Sequence, residues 1–265
     1  MAGPRPKYEE VRAVIVRLDV KVGGISRPTV IGCDDGNYYI CKSLRSLPYP
    51  HPYILANEQI CKNLADLLGL PVQPSRVVLL KRERLFGSLL DPDIRDIKTV
   101  RLSRENLKNL DAVPAILVFD IFVCNIDRHM GNSLALVISG EEEGFILRIM
   151  DHSHALMGVR VEKRAALQDK LDIDHYLGFK ELNACIDKFS DFEPALSALE
   201  GLSRDDISWA TSNLPKEWMP NYDENRRVLT RALFKRKDVV RRLLKERIER
   251  EAGLPPARKL FPNLR

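Results

Sequence analysis

A chain of 265 residues with 45% hydrophobic, 7% aromatic and 30% charged residues has the make-up of a folded globular protein; a disordered chain, a collagen-like chain and a small disulfide-stapled scaffold are excluded. The net charge of +5 is concentrated, because Asp223 to Glu251 holds 11 basic and 6 acidic residues and the remainder balances to zero, so no general nucleic-acid surface is expected. Five cysteines, an odd number without C-x-x-C spacing, are expected to be reduced and mostly buried. The start, MAGPRPKYEE, has no apolar leader core, and the longest apolar stretch, Ala112 to Cys124, is interrupted by Asp120 and shorter than the ~20 residues that span a bilayer. A cytoplasmic protein with no membrane span is expected.

Val11 to Val20 is rich in β-branched residues and places Val14, Val16, Leu18 and Val20 on alternate positions, the pattern of a half-buried strand. Gly23-Gly24 interrupts it. Pro28 to Cys33, the turn Asp34-Asp35-Gly36-Asn37 and Tyr38 to Ser43 then read as a hairpin carrying Lys42 near its end. After Pro48, Pro50 and Pro52, the spacing from Ile54 to Leu68 predicts a helix that stops at Gly69, with Pro71 just beyond. Val72 to Leu80 reads as extended, and Leu80 to Ser88 as the connection to a second, helical part.

In that part, Asp111 can cap a helix with Pro114 in its first turn, apolar almost all round and therefore buried. Asn125 to Asn132 is a polar loop, followed by strands over Ser133 to Ile138 and Phe145 to Met150. From Asp169 onward the pattern is amphipathic helix. Asn225 to Glu251 reads as one helix packing through Val228, Leu229, Ala232, Leu233, Val239, Val240, Leu243, Leu244 and Ile248, with its arginines and lysines solvated.

Asp127 and Asn132 stand five apart in the polar loop. Phosphoryl transfer uses such a pair: a carboxylate orients the attacking hydroxyl, and an amide oxygen helps hold a divalent cation on the phosphates. Asp151, at the end of the second strand, supplies a further carboxylate for that cation. Lys42, paired with Glu58 on the next helix, can be fixed against the phosphates, and Gly23 and Gly24 allow backbone N–H groups to approach them.

These residues resemble those of the HipA-like kinases, within the wider superfamily that includes the phosphoinositide 3- and 4-kinases. The matches are Asn125-Ile126-Asp127-Arg128-His129-Met130-Gly131-Asn132, Ile149-Met150-Asp151, Tyr39-Ile40-Cys41-Lys42, Asn57-Glu58, and Leu214-Pro215-Lys216-Glu217-Trp218 followed by a basic helix. The resemblance implies a two-lobed α+β kinase fold: residues 1–87 hold a small antiparallel sheet and one helix, and residues 88–265 form a helical lobe with a hairpin. It implies an ATP- and Mg²⁺-dependent kinase whose acceptor is a protein Ser/Thr hydroxyl, a lipid or small-molecule acceptor being the alternative. Asp127 would be the catalytic aspartate, Asn132 and Asp151 would bind Mg²⁺, Lys42 would contact ATP phosphates and Glu58 would pair with Lys42. Gly23, Gly24 and Ser26 would lie in the phosphate loop, Ser26 as an autophosphorylation site, with His129 bracing the catalytic loop. There is no G-x-G-x-x-G, H-R-D, D-F-G or A-P-E, which excludes an ordinary eukaryotic-type protein kinase. The chain is shorter than full-length HipA toxins, so a toxin role does not carry over. A different class, a metal-dependent phosphohydrolase, would gather Asp127, His129, Asp151, His152 and His154 around a transition metal.

Overall fold

The expected hairpin forms with Thr29–Cys33 as β2 and Tyr38–Lys42 as β3, turning at Gly36, whose φ of +81° only glycine adopts freely. The computed structural model describes residues 7–17, 28–45, 52–96, 103–125, 127–128, 133–138, 144–156 and 185–251. β1 (Glu10–Arg17) pairs with β2, and β4 (Ser75–Leu80) and β5 (Glu83–Leu89) form a second hairpin that joins β3. The simple antiparallel sheet read from the sequence is corrected here. β1 also pairs in parallel with β4, so the order β1-β2-β3-β5-β4 closes into a barrel.

The barrel interior holds Val11, Ile31, Cys33, Tyr39, Cys41, Val78 and Leu85. Two expectations fail inside it for physical reasons. Val14 and Val16 are 67% and 40% exposed, because Val11 and Ala13 are the β1 residues packed into the barrel, and period-2 alternation puts Val14 and Val16 on the opposite face. Leu18 and Val20 lie outside the described residues. Leu80 to Ser88 is not a connection but the β4–β5 turn and most of β5. Gly87 reads as a break in the sequence, yet a Cβ there would come within 2.7 Å of Val78, so the residue is small because the barrel is full.

α1 (Ile54–Leu67) follows β3 and ends before Gly69, φ +67°. A second sheet, β6 (Ile94–Asp96), β7 (Ser133–Ile138) and β8 (Gly144–Ile149), contains the expected hairpin. Between β6 and β7 lies α2 (Ala112–Phe122), of which ten residues are buried. Among the described residues, four helices follow, α3 (Glu193–Glu200), α4 (Arg204–Ser212), α5 (Tyr222–Arg236) and α6 (Val240–Glu251). α1, α2 and these helices share one core that includes Ile60, Leu64, Phe119, Phe122, Phe192, Trp218, Leu233 and Leu244.

The single helix expected over Asn225 to Glu251 is two, α5 and α6, broken at residues 237–239. Its apolar residues pack as expected, but Arg236 and Lys237 are buried at 4% and 8% exposure and not solvated. Among the described residues no helix is long and apolar enough to cross a membrane, and the five cysteines form no disulfide.

Candidate active site

Lys42 ends β3 opposite Phe86 of β5, on the barrel face turned toward α1. Its Nζ lies 2.6 Å from Glu58 Oε1 and 2.8 Å from Asp151 Oδ1. The other oxygen of Glu58 accepts the His152 backbone N–H at 2.9 Å, and the Ser153 hydroxyl donates to Asp151 Oδ1. Burial works against the ammonium, but the Asp151 and Glu58 carboxylates hold the Lys42 pKa above its ordinary value. Burial likewise opposes charge on Asp151, yet Lys42 and Ser153 hold its carboxyl far below the usual range. One ammonium serves two carboxylates, and burial pushes Glu58 up to about 7 against the pull of Lys42.

α1 is held in place by polar side chains that its sequence would ordinarily send to solvent. Asn57 donates to the Ser153 carbonyl at 2.9 Å, and Asn63 donates to the carbonyls of Ala210 and Asn213 at 3.0 and 3.1 Å. Glu58 thus meets Lys42 from a helix anchored at both the site and α4.

Asp151 has φ +57°, and Cys124 and Leu156 beside it have φ +52° and +46°. Left-handed backbone at a non-glycine residue costs on the order of 1 kcal/mol or more and persists where the surroundings over-determine it. Here the Leu156 N–H donates to the Val123 carbonyl at 2.7 Å, tying the segment after β8 to the end of α2.

The loop after α2 is organised around Asp120, a carboxylate in the buried helix. Asn125 donates to Asp120 Oδ1 at 2.9 Å and accepts the Asp127 N–H at 3.3 Å. Arg128, fully buried, grips Asp120 through Nε (2.9 Å to Oδ2) and Nη2 (3.1 Å to Oδ1). Asp127 itself is partly exposed, its Oδ2 3.9 Å from His154 Nε2. At the same end of α2, Arg236 donates to the Ile121 and Phe122 carbonyls at 2.8 to 3.1 Å, closing the helix C-terminus from α5.

Of the residues singled out in the sequence, the structure brings Lys42, Glu58 and Asp151 together. Asp127 sits in the adjoining loop. Gly23, Gly24, Ser26, His129 and Asn132 lie outside the described residues. Asp151 fits a Mg²⁺ ligand: Lys42 and Ser153 hold its carboxyl far below the usual range, so it is ionised, and 28% of its side chain is exposed. The transition-metal alternative fits less well. His152 is buried with Nε2 2.9 Å from Arg128 Nη2, and among the described residues no three His, Cys, Asp or Glu side chains gather as a metal site. Sequence reading missed Asp120 as an anchor, Arg128, Asn57 and Arg236. The only signal was a lone carboxylate inside an apolar helix, which begs a buried partner.

Next to Lys42, strand register aligns Arg17 with Val30, Val30 with Ile40 and Ile40 with Ser88. This barrel face carries Val30, Ile40 and Ser88 beside the Lys42 cluster.

A family model described as HipA-like kinase matches residues 13–250. Among solved structures, the Helicobacter pylori proinflammatory kinase CtkA is similar with a TM-score of 0.56 and 16% identity, covering 87% of this chain and 96% of that one; the likeness is one of fold. The Rio2 kinase of Chaetomium thermophilum, solved as an ADP/Mg²⁺-phosphoaspartate complex, matches at TM-score 0.46 and 12% identity over 85% of this chain and 72% of that one. Shewanella oneidensis HipA, solved with HipB and operator DNA, matches at 0.40 and 13% over 78% and 60%. No curated protein matches the chain in sequence.

Proposed function

The chain belongs to the HipA-like kinases, and from that membership we propose that it is an ATP- and Mg²⁺-dependent phosphotransferase acting on a Ser/Thr hydroxyl of a protein. The observation that carries the reading is the buried Lys42–Glu58–Asp151 cluster with Asp127 in the loop beside it. The barrel with α1 is the first lobe and the helical part the second. They divide near position 87, where Leu89 and Leu90 leave the end of β5, and ATP takes the cleft between them. Adenine rests against Val30 and Ile40, and the phosphates reach Lys42 and the loop with Gly23, Gly24 and Ser26.

Asp151 and Asn132 would hold Mg²⁺, which would supply positive charge to the triphosphate. The chain's own residues do the rest. Glu58 keeps Lys42 extended toward the phosphates, Asp127 orients the acceptor hydroxyl and takes its proton, and His129 braces the loop. Ser26 is an autophosphorylation site, where about −1.5 to −2 added charge repels nucleotide phosphates. The test compares transfer from γ-labelled ATP to the protein, lipid and small-molecule fractions of a lysate, with the Asp127→Ala protein as control. Label in protein, on serine or threonine and absent with Asp127→Ala, is expected; label confined to lipid or to small molecules moves the acceptor to that class. Phosphopeptide mapping of the purified protein after Mg-ATP checks Ser26.

A further inference from the structure

Arg128 follows one acid of the proposed phosphotransferase in the chain and contacts the two residues that flank the other. Two nitrogens of its guanidinium are committed to Asp120, at 2.9 and 3.1 Å, in an ion pair with no solvent exposure on either side chain. The remaining reach of the same group is directed at the β8 end. Nη1 donates to the Met150 carbonyl at 2.9 Å, and Nη2 meets His152 Nε2 at 2.9 Å. Asp127 is the residue before Arg128, and Asp151 stands between Met150 and His152.

We propose that Arg128 is the positioning residue of the site, holding the loop of Asp127 and the strand end of Asp151 in one register through Asp120, the Met150 carbonyl and the His152 ring. The inference rests on the phosphotransferase reading for its kinetic consequence only. The chemistry is specific to arginine. A planar guanidinium can serve a carboxylate on one edge while donating to a carbonyl and a ring nitrogen on the other, which an ammonium cannot do at these distances. Because a guanidinium only donates, His152 Nε2 must accept, so the ring is neutral with its proton on Nδ1. The ring also stands edge-on to Phe119 of α2, 5.7 Å between centroids, which fixes its plane. The His152 backbone N–H in turn donates to Glu58. A continuous chain of contacts therefore runs Asp120, Arg128, His152, Glu58, Lys42, Asp151, and a shift of the guanidinium displaces the acceptor side and the phosphate side together.

The test compares Arg128→Lys, which keeps the charge opposite Asp120 and loses the fork, with His152→Gln and the double variant. On full-length protein, turnover at saturating Mg-ATP is expected to fall ~10- to 100-fold for Arg128→Lys, with the KM for Mg-ATP rising as well because Asp151 and Lys42 shift with the loop. The loss in the double variant should equal that of the larger single one, because both act through one contact. Additive losses, or normal turnover in a folded Arg128→Lys protein, overturn the proposal. Hydrogen exchange gives a reading that needs no activity. Arg128→Lys should raise exchange in residues 125–128 and 150–153 together, and a rise confined to one segment sinks the idea. If Arg128→Lys fails to fold, Asp120→Asn removes the anchor's charge and must reproduce the paired exchange signature. A wild-type protein that transfers no phosphate while the paired signature holds refutes the phosphotransferase reading and leaves the positioning role standing.

Discussion

Two charge webs in this molecule look alike on paper and differ in everything that matters. One surrounds the site, where Lys42, Glu58, Asp151, Arg128 and Asp120 are joined at 2.6 to 3.1 Å and largely withdrawn from water. The other runs over α3 and α6, where Arg241 bridges Glu193 and Glu200, and Arg242 pairs with Glu246 four residues on. In the second web water already satisfies each charge, so breaking a pair returns its members to solvent. In the first web no water is at hand, and removing one partner strands the other. Burial, and not the number of ion pairs, decides what a charge is worth.

Asp120→Ala tests this most severely. It leaves Arg128 charged and buried, and a loss of about 3–5 kcal/mol in urea unfolding is expected; a loss under 1 kcal/mol would put this pair in the same class as the surface ones. Asp127 and Asp151 come next. If Asp127 orients the acceptor as proposed, Asp127→Ala should lower turnover ~10²-fold or more with Mg-ATP affinity nearly intact. Asp151→Ala should weaken Mg-ATP binding as well as turnover, and calorimetry paired with a transfer assay separates the two. Arg236 sharpens the comparison, because in sequence it belongs to the basic segment but in space to the buried web. Its removal to Ala should cost about 1–3 kcal/mol through orphaned α2 carbonyls, measured by the shift in the unfolding midpoint. Arg242→Ala, six positions along and 61% exposed, should cost only ~0.3–0.5 kcal/mol, an effect that fades in high salt.

The parts of the fold legible in the sequence are those set by local chemistry. The β2–β3 turn, the stop of α1 before Gly69 and the β7–β8 hairpin follow from glycine placement and alternation. The contact of Lys42 with Glu58 was legible too, through the resemblance, which pairs a lysine at a strand end with a carboxylate on the next helix. Features set by distant contacts were hidden. The parallel closure of β1 on β4 leaves no mark on either strand alone, and the need for a small residue at Gly87 shows only once Val78 is seen beside it. Val14 and Val16 misled because alternation marks two faces without saying which one is buried, and here it is the face of Val11 and Ala13. Asp120 was noted only as an interruption of an apolar run, and its meaning depends on Arg128 arriving from the next loop.

The closure of the barrel bears on how the chain is made. β1 is synthesised first, yet its parallel partner at Val77 to Leu79 emerges more than sixty residues later, after β2, β3 and α1. Until then one edge of β1 has no neighbour, and Val14, Ile15 and Val16, at 67%, 50% and 40% exposure even in the finished fold, stand beside it. Long-range pairing of this kind slows folding, because the loop must be closed before the contact rewards it. During synthesis at ~5–20 residues per second, the nascent barrel therefore spends seconds as an open, strand-rich edge. Expression yield should then depend on temperature and chaperone supply more steeply than the stability of the completed domain would suggest, and the penalty should ease when Val14 and Val16 are replaced by lysine.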